Sequence, residues 1–141
     1  MADLIEWQSH LNLGIAPLDY QHRELAGMLN LLGNALADPG HDHAELLQRI
    51  HRHARAHFLY EEKLMLSIGF RDSVGHQREH TMLLAELTSL TRAVVAGQAP
   101  LDHEFMSSLR HWFLAHLVTS DREFAACYLL ANPVDDTAPE H

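Results

Sequence analysis

One helical stretch of the chain places two ionisable side chains among hydrophobic ones. In HFLYEEKLM, residues 57–65, apolar residues recur with the period of one helix face. His57 and Glu61 lie on or beside that face, and because an α-helix advances about 100° per residue they project toward the same region. A buried histidine and a buried carboxylate are both costly unless something compensates them. The stretch therefore restricts the fold to one that brings partners to both groups.

Hydrophobic spacings of three and four predict four helices, and no segment predicts a strand. The predicted order is an N-terminal arm (1 to about 17), a first helix (about 18–37), a second from Asp42 to about Ile68, a third from Asp72 or Ser73 to about Gly97, and a fourth after Asp102. Short connections favour an all-α, up-down-up-down four-helix bundle. We predict that the bundle occupies residues 1–131 and that 132–141 form a polar tail.

Local signals mark several helix ends. Asp42 precedes Glu45 by three residues, which is a variant of the capping box. Gly69 is suited to end the second helix, and Asp102 to cap the fourth.

The other helices also carry polar groups that can face inward. His76 and His80 repeat the four-residue spacing on the third helix, and His22 lies within the leucine stripe of the first. On the fourth helix His116 precedes Asp121 by five residues, which rotates the carboxylate about 140° off alignment in an ideal helix. Both side chains can still point inward if Asp121 swings across or if the helix widens locally into a π turn.

Five imidazoles and two carboxylates are too many for one tetrahedral zinc ion, which takes four ligands. They suit two octahedral metal ions if both carboxylates bridge. Imidazole is compatible with iron, copper, nickel or zinc, whereas carboxylate bridging favours iron or manganese. The candidate ligands are His22, His57, Glu61, His76, His80, His116 and Asp121.

Composition narrows the class of protein. The 141 residues carry a formal net charge of −9, which argues against nucleic acid or an anionic membrane surface as a partner. No apolar run reaches the roughly 20 residues of a membrane span, and the N-terminal residues do not resemble a secretory signal. With Cys127 as the single cysteine, we predict a cytoplasmic location. The 13 histidines outnumber all lysines and arginines together.

Eight histidines fall outside the candidate ligand set, and we predict surface or supporting positions for them. They are His10, His41, His43, His51, His53, His103, His111 and His141. His53 lies one turn before His57 and is a candidate to support a ligand from outside the metal site. Glu62, next to Glu61, is predicted to point away into solvent.

The chain resembles the hemerythrin family, particularly its single-domain bacterial members, from Trp7 to about Tyr128. The motifs that carry the resemblance are Trp7 with GIAPLDYQH, then HFLYEEKLM, GHQREH and HWFLAHLVTSD. All seven ligand positions hold the expected residue type. Arg71 departs from the proline that many relatives have after the glycine–aromatic pair.

The resemblance implies a role for each residue. His76, His80 and His116 would bind one iron, His22 and His57 the other, and Glu61 and Asp121 would bridge them beside an oxo or hydroxo group. The second iron would keep a position open for O₂. Trp112 and Phe113, which are otherwise typical core residues, would line the O₂ side of the site.

The implied function is reversible O₂ binding for storage, delivery or sensing, and not enzymatic catalysis. One alternative is a di-iron oxidase, peroxidase or ferroxidase. Oxygen-activating bundles of that class use Glu-x-x-His pairs, and this sequence contains none. Slow peroxidase activity stays open. A second alternative is a sensor of O₂, NO or iron that signals through a separate protein.

Overall fold

The computed structural model describes residues 4–36, 38, 40, 42–98 and 100–132. Its helices are α1 (Ala16–Asn34), α2 (His43–Ile68), α3 (Ser73–Val95), α4 (His103–His116) and α5 (Arg122–Ala131). A π-helical turn, Leu117–Asp121, joins α4 to α5 without a break, so the last two helices form one rod. No strand occurs within the described ranges. The prediction of an all-α four-helix bundle is confirmed.

Helix α1 begins earlier and ends earlier than predicted. It starts at Ala16 because Pro17 suits the first helical turn and because Asp19 reaches back to the arm. The Asp19 carboxylate accepts hydrogen bonds from the backbone N–H groups of Leu13, at 2.6 Å, and Gly14, at 3.1 Å. The helix ends at Asn34. There, hydrogen bonds from the N–H of residue i+3 to the carbonyl of residue i tighten the chain into a turn. The predicted end, Ala37, lies outside the described residues.

Three of the predicted helix-end signals are confirmed. The Asp42 side chain accepts a hydrogen bond from Glu45 N–H at 3.0 Å, and the Asp102 side chain accepts one from Phe105 N–H at 2.9 Å. Gly69 ends α2 with a φ of 62°, a left-handed conformation that favours glycine. Asp72 precedes α3, but its side chain forms no capping hydrogen bond.

The N-terminal arm is fixed to the bundle by polar contacts. Ile5 exchanges two hydrogen bonds with the Asn30 side chain, its N–H donating at 2.7 Å and its carbonyl accepting at 2.8 Å. Arg110 donates to the Leu4 carbonyl and Arg122 to the His10 carbonyl. The arm therefore lies across α1 and the α4–α5 rod.

The hydrophobic core is contributed unequally by the helices. Helices α1, α2 and α4 each bury several large apolar side chains, whereas Leu87 is the only large apolar side chain that the described part of α3 buries completely. The other buried residues of α3 are His76 and His80. Among the described helices, none is long and apolar enough to cross a membrane. The centre of this bundle is polar, and it is closed by apolar layers on α1, α2 and α4.

Candidate metal centre

Every long helix contributes to one buried polar cluster at the centre of the bundle. The seven side chains predicted as ligands are each at most 6% exposed. They come from α1 (His22), α2 (His57, Glu61), α3 (His76, His80), α4 (His116) and the π turn (Asp121). Side chains far apart in sequence therefore meet in the core.

The cluster divides into two overlapping groups of ligand atoms. One group contains Glu61, His76, His80, His116 and Asp121, and the other contains His22, His57, Glu61 and Asp121. Within each group all the ligand atoms lie within 4.8 Å of one another. Glu61 and Asp121 belong to both groups.

Each shared carboxylate presents one oxygen to each group. Glu61 Oε1 lies 2.7 Å from His76 Nε2 and 3.3 Å from His80 Nε2, while its Oε2 faces His57 Nε2 at 3.4 Å. Asp121 Oδ1 lies 3.1 Å from His76 Nε2 and 2.8 Å from His116 Nε2, while its Oδ2 faces His22 Nε2 at 3.2 Å. This arrangement would allow both carboxylates to bridge a pair of ions.

The π turn explains how Asp121 reaches the cluster. Five residues separate it from His116, and an ideal α-helix would turn the carboxylate away. The wider turn at Leu117–Asp121 realigns the two side chains, and Asp121 is 1% exposed. Of the two routes predicted from the sequence, the structure adopts local widening, which is common at functional sites.

Several polar atoms of the cluster lack a hydrogen-bond partner although they are fully buried. They are both oxygens of Glu61, both ring nitrogens of His22 and Nε2 of His57. His80 Nε2 and His116 Nε2 face each other at 3.1 Å. Short distances without donor-to-acceptor alignment are costly for buried polar groups. In a set of metal ligands such short distances are expected, because the lone pairs of the ligand atoms all point toward a cation. These residues therefore fit a pair of metal ions.

The two carboxylates are held in their ionised form. Burial by itself raises the pKa of Glu61, and the nearby Asp121 carboxylate raises it further. The imidazoles of His57, His76 and His80 outweigh both effects and bring the pKa of Glu61 to about 2. Burial likewise raises the pKa of Asp121, but His116, His22 and His76 hold it well below its ordinary value. Both groups are thus available as anionic bridges at neutral pH.

The pKa values of the buried histidines shift in opposite directions. Burial lowers the pKa of His57, and Glu61 compensates only in part. For His76 burial is outweighed by Asp121 and Glu61, which raise its pKa to about 9. The pKa of His116 is also raised, by Asp121 and Glu79 against the effect of burial. A metal ion that binds here must displace protons from His76 and His116.

Three of the histidines are oriented by side chains outside the cluster. His57 Nδ1–H donates to Gln21 Oε1 at 2.6 Å, and His116 Nδ1–H donates to Glu79 Oε1 at 2.7 Å. His80 Nδ1–H donates to Glu62 Oε2 at 3.1 Å. Each bond leaves Nε2 to face the centre of the cluster.

The prediction that Glu62 points into solvent was wrong. Its side chain is 22% exposed and its carboxylate lies against His80. Residue 62 is about 100° around α2 from Glu61, which turns it toward the neighbouring helix α3. Gln21 and Glu79 were also missed, although Gln21 precedes a predicted ligand and Glu79 lies three residues after His76. The sequence carried no signal for which side of each helix faces which neighbour.

The remaining histidines lie outside the cluster where the structure describes them. His53 Nε2–H donates to the backbone carbonyl of Gln21 at 3.0 Å, so it joins α2 to α1 next to His22. His43 Nε2–H donates to the Ala35 carbonyl at 2.6 Å, between the first two helices. His41 and His141 are outside the described residues.

A small apolar cavity adjoins the two-histidine group. Its volume is about 20 Å³, and Trp112 and Phe113 are both in its wall. Its other lining residues are His22, Leu25, His57, Phe58, Leu83, His116, Leu117 and Asp121. The Phe113 ring meets the His22 ring edge to face at 6.3 Å, and Trp112 Nε1–H donates to the Leu83 carbonyl at 3.0 Å. The space is sufficient for a molecule about the size of water.

The fold and the cluster define a class of protein: a four-helix bundle whose core can hold two metal ions through shared carboxylates. A family model described as the hemerythrin HHE cation binding domain matches residues 13–128. The chain belongs to the hemerythrin family. At the level of the family this implies a non-heme di-iron centre and the binding of O₂.

Individual relatives agree with this assignment. A bacteriohemerythrin of Pseudomonas paraeruginosa is 32% identical over 124 residues, which cover 86% of this chain and 78% of that protein. A bacteriohemerythrin of Ralstonia nicotianae is 29% identical over 119 residues, which cover 84% and 85% of the two chains. The crystal structure of a wild-type hemerythrin shares the fold, with a TM-score of 0.81 and 24% identity over 89% of this chain and 98% of the other.

Proposed function

We propose that this protein binds O₂ reversibly at two iron ions with an oxo or hydroxo bridge, and that it serves oxygen storage, delivery or sensing. His76, His80 and His116 hold one iron, His22 and His57 hold the other, and Glu61 and Asp121 join them. The observation that carries the proposal is the orientation of the two carboxylates, each with one oxygen toward either histidine group.

The donor count supports one saturated and one unsaturated ion. Three imidazoles, two carboxylate oxygens and the bridge complete six positions on the first ion. Two imidazoles, two carboxylate oxygens and the same bridge provide five on the second. Both histidines proposed for the ion with the open position, His22 and His57, line the cavity, whereas His116 is the only histidine of the other group that does. When bound, the iron pair supplies the two electrons that O₂ takes up and returns.

The chain's own residues would keep that exchange reversible. Phe113 and Trp112 close the cavity with apolar surface, which keeps out water and the protons it brings. The indole N–H of Trp112 is occupied by the Leu83 carbonyl, so it does not donate a proton toward the cavity. The five imidazole ligands are neutral when they bind a metal ion, so they donate less negative charge to the iron than additional carboxylates would. This favours O₂ carriage over oxidation chemistry.

The test is a cycle of O₂ binding and removal. The protein is loaded with iron, reduced without air, exposed to O₂ and then flushed with argon while its visible absorption is recorded. We expect two irons per chain and an O₂-dependent band that disappears under argon and returns with O₂. Immediate conversion to the oxidised form with release of peroxide would contradict reversible binding and favour an oxidase, or a sensor that signals through a separate protein. One tightly held zinc per chain, with no uptake of iron, would exclude the proposal.

Matched variants identify the ligands in the same assay. His57→Gln should disturb the ion with the open position first, because that ion has only two histidines. His103→Gln is the control, since His103 is exposed at the start of α4 and away from the cluster. Equal loss of iron in both variants would contradict the assignment of His57 as a ligand.

A further inference from the structure

The two histidine groups differ in what their outer nitrogens contact. In the three-histidine group, His80 and His116 donate their Nδ1–H groups to the carboxylates of Glu62 and Glu79. In the two-histidine group, His57 donates to the neutral amide oxygen of Gln21, and His22 Nδ1 has no hydrogen-bond partner. Among the described residues, the histidines of this second group contact no carboxylate other than the two shared ones. The negative charge contributed by carboxylates outside the cluster therefore lies on the three-histidine side.

The Glu79 side chain is 41% exposed, but both of its carboxylate oxygens accept hydrogen bonds. Its Oε1 accepts from His116 Nδ1–H at 2.7 Å and its Oε2 accepts from the Ser120 hydroxyl at 2.7 Å. Ser120 belongs to the same π turn that aligns Asp121. One local widening of the helix thus positions both a bridging carboxylate and a support for the carboxylate behind His116.

A carboxylate behind an imidazole changes the metal ion in front of it. The carboxylate accepts a strong hydrogen bond from Nδ1–H, so Nε2 becomes a stronger electron donor to the metal ion. Such partners typically alter metal affinity by about 10- to 100-fold. A more strongly donating ligand and a nearby negative charge both stabilise Fe³⁺ more than Fe²⁺. The neutral Gln21 amide orients His57 without adding negative charge.

We propose that Glu62 and Glu79 are positioning residues that make the three-histidine side the one that holds ferric iron when the pair has lost a single electron. The iron beside the cavity then stays ferrous in the half-oxidised protein. This inference rests on the proposed di-iron function, and it adds a division of roles between the two ions that the ligand set alone does not give.

The first measurement is a one-electron redox titration of the iron-loaded protein under argon, followed optically. Glu62→Gln and Glu79→Gln should each raise the potential of the iron that is oxidised first. A tenfold loss of ferric preference corresponds to about 59 mV for a one-electron couple. Glu86→Gln is the matched control: it is on the same helix as Glu79, removes the same charge and is exposed to solvent. Equal shifts in the Glu79 and Glu86 variants would overturn the inference, because they would reflect net charge alone.

The reciprocal variant tests the direction. Gln21→Glu places a carboxylate behind His57, so it should stabilise ferric iron on the two-histidine side and bring the two potentials closer together. An unchanged separation of the potentials in a protein with two bound irons would overturn the inference.

The second measurement assigns the ferric ion directly. In the half-oxidised protein, the solvent-exchangeable imidazole N–H signals in the proton NMR spectrum should divide into three with large ferric shifts and two with smaller ferrous shifts. Two ferric-type and three ferrous-type signals would overturn the inference while leaving O₂ binding intact. A protein that takes up no iron would instead overturn the proposed function on which it rests.

Discussion

Phe113 belongs both to the packed core and to the wall of the proposed O₂ site. It is 4% exposed, lines the cavity and contacts the His22 ring. Phe113→Ala should destabilise the fold by about 3–5 kcal/mol and should admit water beside the open coordination position. We therefore expect faster oxidation of the O₂-bound protein with little change in iron content, measured by stopped-flow absorption and metal analysis.

Phe105→Ala separates the two effects. Phe105 is also buried on α4, but it does not line the cavity. A similar loss in the free energy of unfolding with an unchanged oxidation rate is the expected result. If both variants oxidised equally fast, general loosening of the bundle would explain the effect and Phe113 would be an ordinary core residue.

His76 and His116 give the metal-free protein a defined pH dependence. Their pKa values in the folded chain are raised, that of His76 to about 9 from an ordinary 6.5. The folded state then binds more protons than the unfolded state between these values, so stability falls as pH rises from 6.5 to 9. Urea unfolding of the metal-free protein across this range should show the decrease.

Two comparisons check that origin. His76→Gln should reduce the slope, and the iron-loaded protein should show little slope because the metal has already replaced the protons. A metal-free protein whose stability is constant or rises over the same pH range would contradict the assignment of these ion pairs.

At the scale of elements, the π turn between α4 and α5 decides whether the fourth helix can supply both of its donors. Five residues of ideal α-helix would leave Asp121 about 140° from His116, whereas four residues leave about 40°. Deletion of the exposed Thr119 should therefore let an ordinary α-helical turn present the same carboxylate, and both irons should remain bound.

Insertion of one alanine between Thr119 and Ser120 makes the matched comparison. Six α-helical residues turn about 600°, which directs the carboxylate away from the core. We expect this variant to lose iron while circular dichroism still reports a helical bundle. Retention of two irons after the insertion, or their loss after the deletion, would show that alignment with His116 is not what the turn provides.

For the whole molecule, we expect metal binding to stabilise the fold, because the candidate ligands come from every long helix. Without metal, the bundle retains buried polar atoms that lack partners. A ligand present at one hundred times its dissociation constant stabilises the folded state by about 2.7 kcal/mol. Removal of iron by a chelator should clearly lower the calorimetric unfolding midpoint, and re-addition should restore it.

Glu61→Ala is the control for that experiment. It removes one of the two bridges, so the chelator should lower its midpoint much less than that of the unaltered protein. A chelator effect of equal size in both proteins would indicate that the metal acts elsewhere on the chain.

Much of the fold was determined by local sequence. The spacing of apolar residues set the four helices, and Asp42, Gly69 and Asp102 set helix ends, because capping depends on neighbours within a few residues. Inward positions for His57, Glu61, His76 and His80 were also predicted, since a four-residue spacing aligns side chains whatever the tertiary context. The assignment of 132–141 as a separate tail and the roles of the seven residues as ligands remain predictions.

Only the tertiary structure decided how these pieces face one another. The sequence allowed two ways to align Asp121 with His116, and the structure contains the π turn. The sequence placed Glu62 in solvent, and the approach of α3 turned it into the partner of His80. The orientation of Glu61 and Asp121, with one oxygen toward each histidine group, depends on side chains from four helices. The helical period specifies the direction in which each side chain projects from its own helix. The residue that this side chain contacts depends on how the neighbouring helices pack.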